Sequence, residues 1–195
     1  MDLSPLGISA VVFGLLSVGF TIKQSIWCWP TGLVNVVLFF VMFYQVKLYA
    51  ELITYSVFFV LGIYGWWEWS HGGENRSKLP VSRTPHGVSL VLLIVALVWA
   101  PVQGYGFQHY TDAALPYWDS IITVLSLLAQ WMLARKYLEN WVWIAVDVLG
   151  IAVYWFKGLH LAAALYVVFL VLSTCGLVAW WRGLKAAGET DLAPA

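Results

Sequence analysis

The sequence predicts an all-α integral membrane protein with seven transmembrane helices, arranged as three helices, a linker helix and three more. Three observations carry this. Of 195 residues, 62% are hydrophobic and 10% charged, with a mean hydropathy of +0.80, whereas a soluble domain carries about 25% charged residues. The chain also contains seven apolar runs close to the roughly 20 residues that a helix needs to cross the hydrocarbon core. Lastly, Trp27-Cys28-Trp29 and Trp141-Val142-Trp143 lie 114 positions apart. Gly62 with Gly176, and Trp66-Trp67 with Trp180-Trp181, keep that offset without a gap.

The first run, 6–22, lacks a basic n-region and a small-residue cleavage site, so it reads as a retained span rather than a signal peptide. The second, 26–46, opens on Trp29-Pro30. That proline either sits in the first helical turn, where it disrupts nothing, or acts as a hinge. The third run is 49–70, and a polar loop over 71–85 follows it. The fourth, 86–104, has no counterpart at the 114 offset and becomes the linker helix. Runs at 118–134, 140–156 and 159–181 correspond to the first three. The tail after Arg182 is short and polar, and reads as disordered. No run alternates as a barrel strand would. The expected organisation is a first three-helix repeat (1–70), a cytoplasmic loop with the linker helix (71–105), a second repeat (106–182) and a cytoplasmic tail (183–195).

Equivalent positions are four spans apart, an even number, so both halves enter the membrane in the same direction. That is a parallel repeat about an axis along the membrane normal. One side of the membrane carries Lys23, Arg76, Lys78, Arg83, Arg135, Lys136, Arg182 and Lys185, and the other only Lys47 and Lys157. Positive charge concentrates in cytoplasmic loops. The N-terminus is therefore expected outside and the C-terminus inside.

Several function classes are excluded. Net charge is zero and the basic residues are scattered, so there is no nucleic-acid footprint. Cys28 and Cys175 lie inside apolar runs and read as packing residues. There is no HExxH, GxSxG or glycine-rich phosphate loop. The histidines fall in loops or at span ends, and Asp119 and Asp147 fall at opposite depths. No enzyme, metal, cofactor or ATP-driven step is expected.

Polar groups in hydrocarbon need a partner or a cavity. Asn35 falls near the middle of span two and Asp147 near the middle of span six. The 114 offset does not make them equivalent, but it sets an amide and a carboxylate at similar depth in opposite halves. Gln130 lies further along span five, with Thr123 and Ser126 at helical spacing from it. No basic residue stands at the depth of Asp147, which suits a cationic ligand or a proton. Phe39, Tyr44, Tyr55, Tyr154, Trp155 and Tyr166 lie deeper than the tryptophans of the interfacial belt, or on the outer half of the spans. A flat cationic ring could stack on them. Glu51, Lys47, Lys157 and His160 gather at the outer face, and Glu68, Glu139 and Arg135 at the inner one.

Six stretches are distinctive together. They are Gly32-Leu33-Val34-Asn35-Val36, Gln45-Val46-Lys47-Leu48-Tyr49-Ala50, Ile63-Tyr64-Gly65-Trp66, Pro116-Tyr117-Trp118-Asp119-Ser120, Ala134-Arg135-Lys136-Tyr137-Leu138-Glu139-Asn140-Trp141 and Lys157-Gly158-Leu159. In these the chain resembles, over nearly its whole length, the PnuC-type vitamin transporters of the bacterial inner membrane, whose best-known member carries nicotinamide riboside. The resemblance implies a seven-helix, SWEET-like fold and a homotrimer. It implies facilitated diffusion of an intact nucleoside-like vitamin, made one-way when a cytoplasmic kinase phosphorylates the substrate. The site would lie between spans two, three, five, six and seven, with Asn35, Gln130, Trp141 and Asp147 as its ligands. Relatives that carry thiamine share most of these motifs, and thiamine is also a cationic heteroaromatic. It is the alternative substrate.

Overall fold

The computed structural model describes residues 4–74, 78–111 and 113–190. Arg76 and residues 191–195 lie outside the described residues. Seven α-helices follow one another: α1 (Pro5–Ile22), α2 (Cys28–Gln45), α3 (Tyr49–His71), α4 (His86–Tyr110), α5 (Pro116–Ala134), α6 (Trp143–Phe156) and α7 (His160–Thr190). A 3-10 turn, Leu138–Val142, leads into α6. The described residues contain no strand, only an isolated bridge between Ser82 and Tyr137.

Five segments are long and apolar enough to cross a membrane: α1, α2, α4, Leu138–Phe156 and α7. By that measure α3 and α5 fall short of the seven-span expectation. α3 carries Glu51, Glu68 and several Tyr and Trp, and α5 carries Asp119, Thr123 and Gln130 along with buried serines. The tail also differs. Helix α7 continues through Gly183-Leu184-Lys185-Ala186 to Thr190, where disorder was expected. Ala, Leu and Lys are strong helix formers, and nothing between Arg182 and Thr190 breaks the run.

Local chemistry sets the helix ends. Ser4 caps α1, its hydroxyl accepting from the Gly7 N–H, and Pro5 takes the first turn. Pro30 is the third residue of α2, where it removes no helical hydrogen bond, so it is a first-turn proline and not a hinge. Four tight turns each need one residue in the left-handed region: Gln24, Lys47, Lys136 and Gly158, with φ of 52°, 59°, 55° and 73°.

Those turns come in matched pairs. Gln24 and Lys136, 112 positions apart, both donate N–H to the carbonyl three residues back, at 2.9 Å. Lys47 and Gly158, 111 apart, repeat the pattern at 3.2 and 3.0 Å. The register linking α1–α3 to α5–α7 is therefore 112 and then 111, not the 114 of the tryptophan motifs. Trp27 is 61% exposed, while Trp29 and Trp141 are the buried pair. The exposed positions of α6 follow those of α2 at 111, so the one-residue change of register falls ahead of α6, at the 3-10 turn. At 111, Val36 and not Asn35 corresponds to Asp147.

Helix α1 packs on α2 and α7, α3 on α2 and α5, and α6 on α5 and α7. Helix α4 packs on α5 alone among the strong helix contacts. There the Ser120 hydroxyl donates to the Ala100 carbonyl at 2.6 Å and Tyr117 lies against Gly104. The rest of α4 presents Leu90, Leu93, Leu97 and Val98 outward. Such a face is unfavourable in water and ordinary in lipid.

The main core lies where α1, α3, α5 and α7 approach their turns, around Trp29, Trp69, Trp141 and Trp180 with Cys28 and Leu138. Residues 78–85 strap across this end. Ser82 exchanges backbone hydrogen bonds with Lys136 and Leu138, and Glu139 accepts from the backbone and hydroxyl of Thr84 at 2.8 Å each. The Lys136 ammonium donates to Leu79 and lies 4.6 Å from the Trp69 ring centre. Burial holds its pKa below the ordinary lysine range. Arg135 pairs with Glu68, joining α5 to α3.

Candidate functional site

A cavity of about 500 Å³ lies between α1, α2, α3, α5, α6 and α7, within the size range of small-molecule sites. Trp29 and Trp141 belong both to its lining and to the tryptophan core at one end. Two glycines set these rings. A Cβ on Gly65 would come 2.1 Å from Trp29, and one on Gly176 would come 2.0 Å from Trp141. Neither indole N–H has an acceptor among the described residues, although both rings are buried.

Aromatic rings line the opposite end. Phe43 and Tyr55 lie 5.0 Å apart between centres, and Tyr154 and Tyr166 stack at 5.2 Å. At the 111 register these are corresponding pairs. Phe39 joins the first cluster, 5.6 Å from Tyr55. Tyr166 also rests against Gly150, one turn on from Asp147. An apolar helix face with a side chain would close this space.

The polar groups are few. Asn35 donates its amide to the Ala10 carbonyl at 2.7 Å. Asp147 accepts from the Ser173 hydroxyl at 2.8 Å, both side chains being buried. Gln130 and Ser126 complete the polar lining on α5, Ser126 with its hydroxyl returned to the Ile122 carbonyl. Asp147 is the one acidic residue of the lining, and no Lys or Arg reaches it.

Of the residues expected at the site, Asn35, Phe39, Gln130, Trp141, Asp147, Tyr154 and Tyr166 line this cavity, and so does Tyr55. Tyr44 does not. It is 68% exposed in the last turn of α2. Phe39 and Phe43, four residues apart, share the inward face, and the next residue is turned about 100° away. Trp155 likewise faces out and packs on His160, and Thr123 bonds the Asp119 carbonyl. Ser173 escaped the sequence reading, although a serine amid the apolar residues of α7 was a visible signal. Lys157 takes Asp119 as its partner, at 2.6 Å, rather than Glu51. No group of three or more His, Cys, Asp or Glu among the described residues could hold a metal.

A multi-helix bundle with lipid-type outer faces, enclosing a ring-lined chamber with a single carboxylate, has the make-up of a membrane transporter for a small molecule. The chain belongs to the nicotinamide mononucleotide transporter family, which it matches over residues 4–182. It is 29% identical over 217 residues to the nicotinamide riboside transporter PnuC of Escherichia coli (strain K12), covering 98% of this chain and 91% of that protein. It is 31% identical over 188 residues to PnuC of Neisseria mucosa, covering 90% and 72%. The riboflavin/roseoflavin transporter RibM of Streptomyces davaonensis is 24% identical over 174 residues, covering 87% and 81%. Among solved structures, the crystal structure of the vitamin B3 transporter PnuC superposes with a TM-score of 0.71 at 27% identity, over 93% of this chain and 82% of that one. These relatives are transporters, not enzymes.

Proposed function

We propose that this protein takes up nicotinamide riboside across a bacterial inner membrane by facilitated diffusion, and that cytoplasmic phosphorylation traps the product. The carrying observation is the chamber itself: stacked Tyr154 and Tyr166 above a carboxylate, Asp147, with no protein cation to neutralise it. A pyridinium ring supplies both the flat face and the positive charge that such a chamber lacks. Asn35, Gln130 and Trp141 are its further ligands, with Phe39 and Tyr55 closing on the ring. The free indole N–H groups of Trp29 and Trp141 are donors for ribose and carboxamide oxygens. The names of the PnuC relatives favour the same substrate.

In this reading all seven helices span the membrane, with α3 and α5 sheltered by their neighbours. Residues 1–70 and 106–182 form a parallel, SWEET-like repeat joined through α4, a reading supported by the matched turns. The side rich in Lys and Arg is cytoplasmic, so the N-terminus is outside and the C-terminus inside. The family resemblance supports a homotrimer.

The test is uptake of labelled nicotinamide riboside into liposomes holding the purified protein, without ATP or an ion gradient. Equilibration of label, with exchange against unlabelled riboside, is expected. Failure to move the riboside alongside uptake of thiamine would overturn the assignment.

A further inference from the structure

The two halves of the chamber share a scaffold but not its polar groups. At the 111 register Val36 corresponds to Asp147 and Gly62 to Ser173. The first half thus has a valine and a glycine at these positions, and its nearby amide, Asn35, is already committed to the Ala10 carbonyl on α1. The second half places a carboxylate opposite a hydroxyl.

Ser173 bonds across helices, and of the serines that do so it alone among the described residues reaches a side chain. Ser56, Ser70, Ser126 and Thr174 each return their hydroxyl to the carbonyl four residues back in their own helix, the common habit of helical serine and threonine. Ser173 forgoes that bond and reaches from α7 to Oδ2 of Asp147 on α6, at 2.8 Å. It is the one hydrogen-bond partner recorded for that carboxylate among the described residues. A carboxylate has about four acceptor positions. The hydroxyl therefore fixes the carboxylate's orientation and leaves most of its accepting capacity toward the chamber.

We infer that Ser173 is a positioning residue for Asp147, and that together they make the chamber discriminate a cationic ring from an uncharged ring of the same shape. A ligand's positive end accordingly sits against α6 and α7, and its neutral end against the first half. In a site shielded from water, one favourable charge contact is worth far more than in solution. A ring that loses its charge leaves Asp147 buried without a counter-ion, which is costly.

The inference rests on the function proposed above and extends it. The probes are nicotinamide riboside, whose ring is a pyridinium, and its uncharged 1,4-dihydropyridine form. Both are presented to liposomes containing the full chain. The wild-type protein is expected to favour the cation by about tenfold or more in initial uptake. Asp147→Asn should bring the ratio near unity. Ser173→Ala should reduce it several-fold, and Ser173→Thr, which keeps the hydroxyl, should restore it. Loss of packing alone would lower both uptakes together and leave the ratio unchanged. Equal wild-type uptake of the two forms would overturn the inference while leaving the riboside assignment intact, and this arm needs no variant. An unchanged ratio in folded Asp147→Asn or Ser173→Ala protein would also overturn it. Failure of both ribosides to enter would overturn the assignment and the inference together.

Discussion

Trp180 donates its indole N–H to the carbonyl oxygen of Thr21 at 3.0 Å, tying the last helix to the first. Trp69 does the same across the other seam, from α3 to Leu133 on α5, also at 3.0 Å. Each bond crosses from one three-helix group to the other, and the two rings lie 6.0 Å apart. Trp180 is fully buried. Replacing it by Phe keeps most of the ring and removes the donor, for an expected loss of about 1 kcal/mol. Trp180→Ala also leaves a cavity and should cost about 3–5 kcal/mol. Thermal unfolding in detergent checks the order, with Ala well below Phe and Phe below wild type. Because the rings touch one network, Trp69→Phe with Trp180→Phe should depart from additivity.

Gly65 and Gly176 are close-approach positions for the two cavity tryptophans. A methyl group there meets the body of an indole ring, at 2.1 and 2.0 Å, and not the end of a flexible chain. Gly65→Ala and Gly176→Ala should each cost about 1–3 kcal/mol by overpacking. Each should also depress uptake, because the displaced ring moves into the chamber. Gly19→Ala is the control, since nothing lies within 4 Å of its added methyl. Its melting temperature should match or exceed that of the wild type.

The helices themselves were legible because apolar runs bounded by Gly, Pro and charge leave little choice in lipid. The register between the two groups was not. Sequence comparison aligned the tryptophan triplets at 114, yet the outer Trp of the first triplet, Trp27, is on the surface. The true correspondence is carried by backbone turns at Gln24 and Lys136, whose side chains have little in common. At 112 Trp29 still meets Trp141, and at 111 Gly65 meets Gly176 and Trp69 meets Trp180, but the one-residue change between them hides this correspondence from ungapped matching. For that reason the 114 offset pairs Asp147 with Leu33, and its counterpart Val36 emerged only with coordinates. The inclusion of Tyr44 was a different kind of miss, since helical phase with Phe39 and Phe43 already turns it outward. That Asp147 and Gln130 line a cavity could be expected without any register, from the cost of placing a polar group in hydrocarbon alone.

Asp119 and Lys157 meet at the end of the bundle away from the tryptophans, with Nζ 2.6 and 2.7 Å from the two carboxylate oxygens. Both side chains are largely sheltered, 19% exposed for the lysine and 23% for the aspartate. A pair this sheltered behaves differently from a surface pair worth about 0–1 kcal/mol. Asp119→Asn or Lys157→Met alone strands a partly buried charge and should lower the melting temperature. The double variant should recover part of the loss, with a coupling of about 1 kcal/mol. Strict additivity in a double-mutant cycle would show that the contact contributes nothing.

Nicotinamide mononucleotide gives the family its description, but the chamber disfavours it. Its phosphate is a dianion near neutral pH. With the pyridinium against Asp147, the phosphate would fall toward the first half of the chamber, and burying a charge without a partner is costly. No Lys or Arg lines the cavity to offset it. A hundredfold excess of the mononucleotide should therefore leave riboside uptake in liposomes essentially unchanged, whereas unlabelled riboside at the same concentration should suppress the signal. Competition by the mononucleotide at concentrations close to those effective for the riboside would mean that the chamber accepts a dianion despite the lack of a cation in its lining.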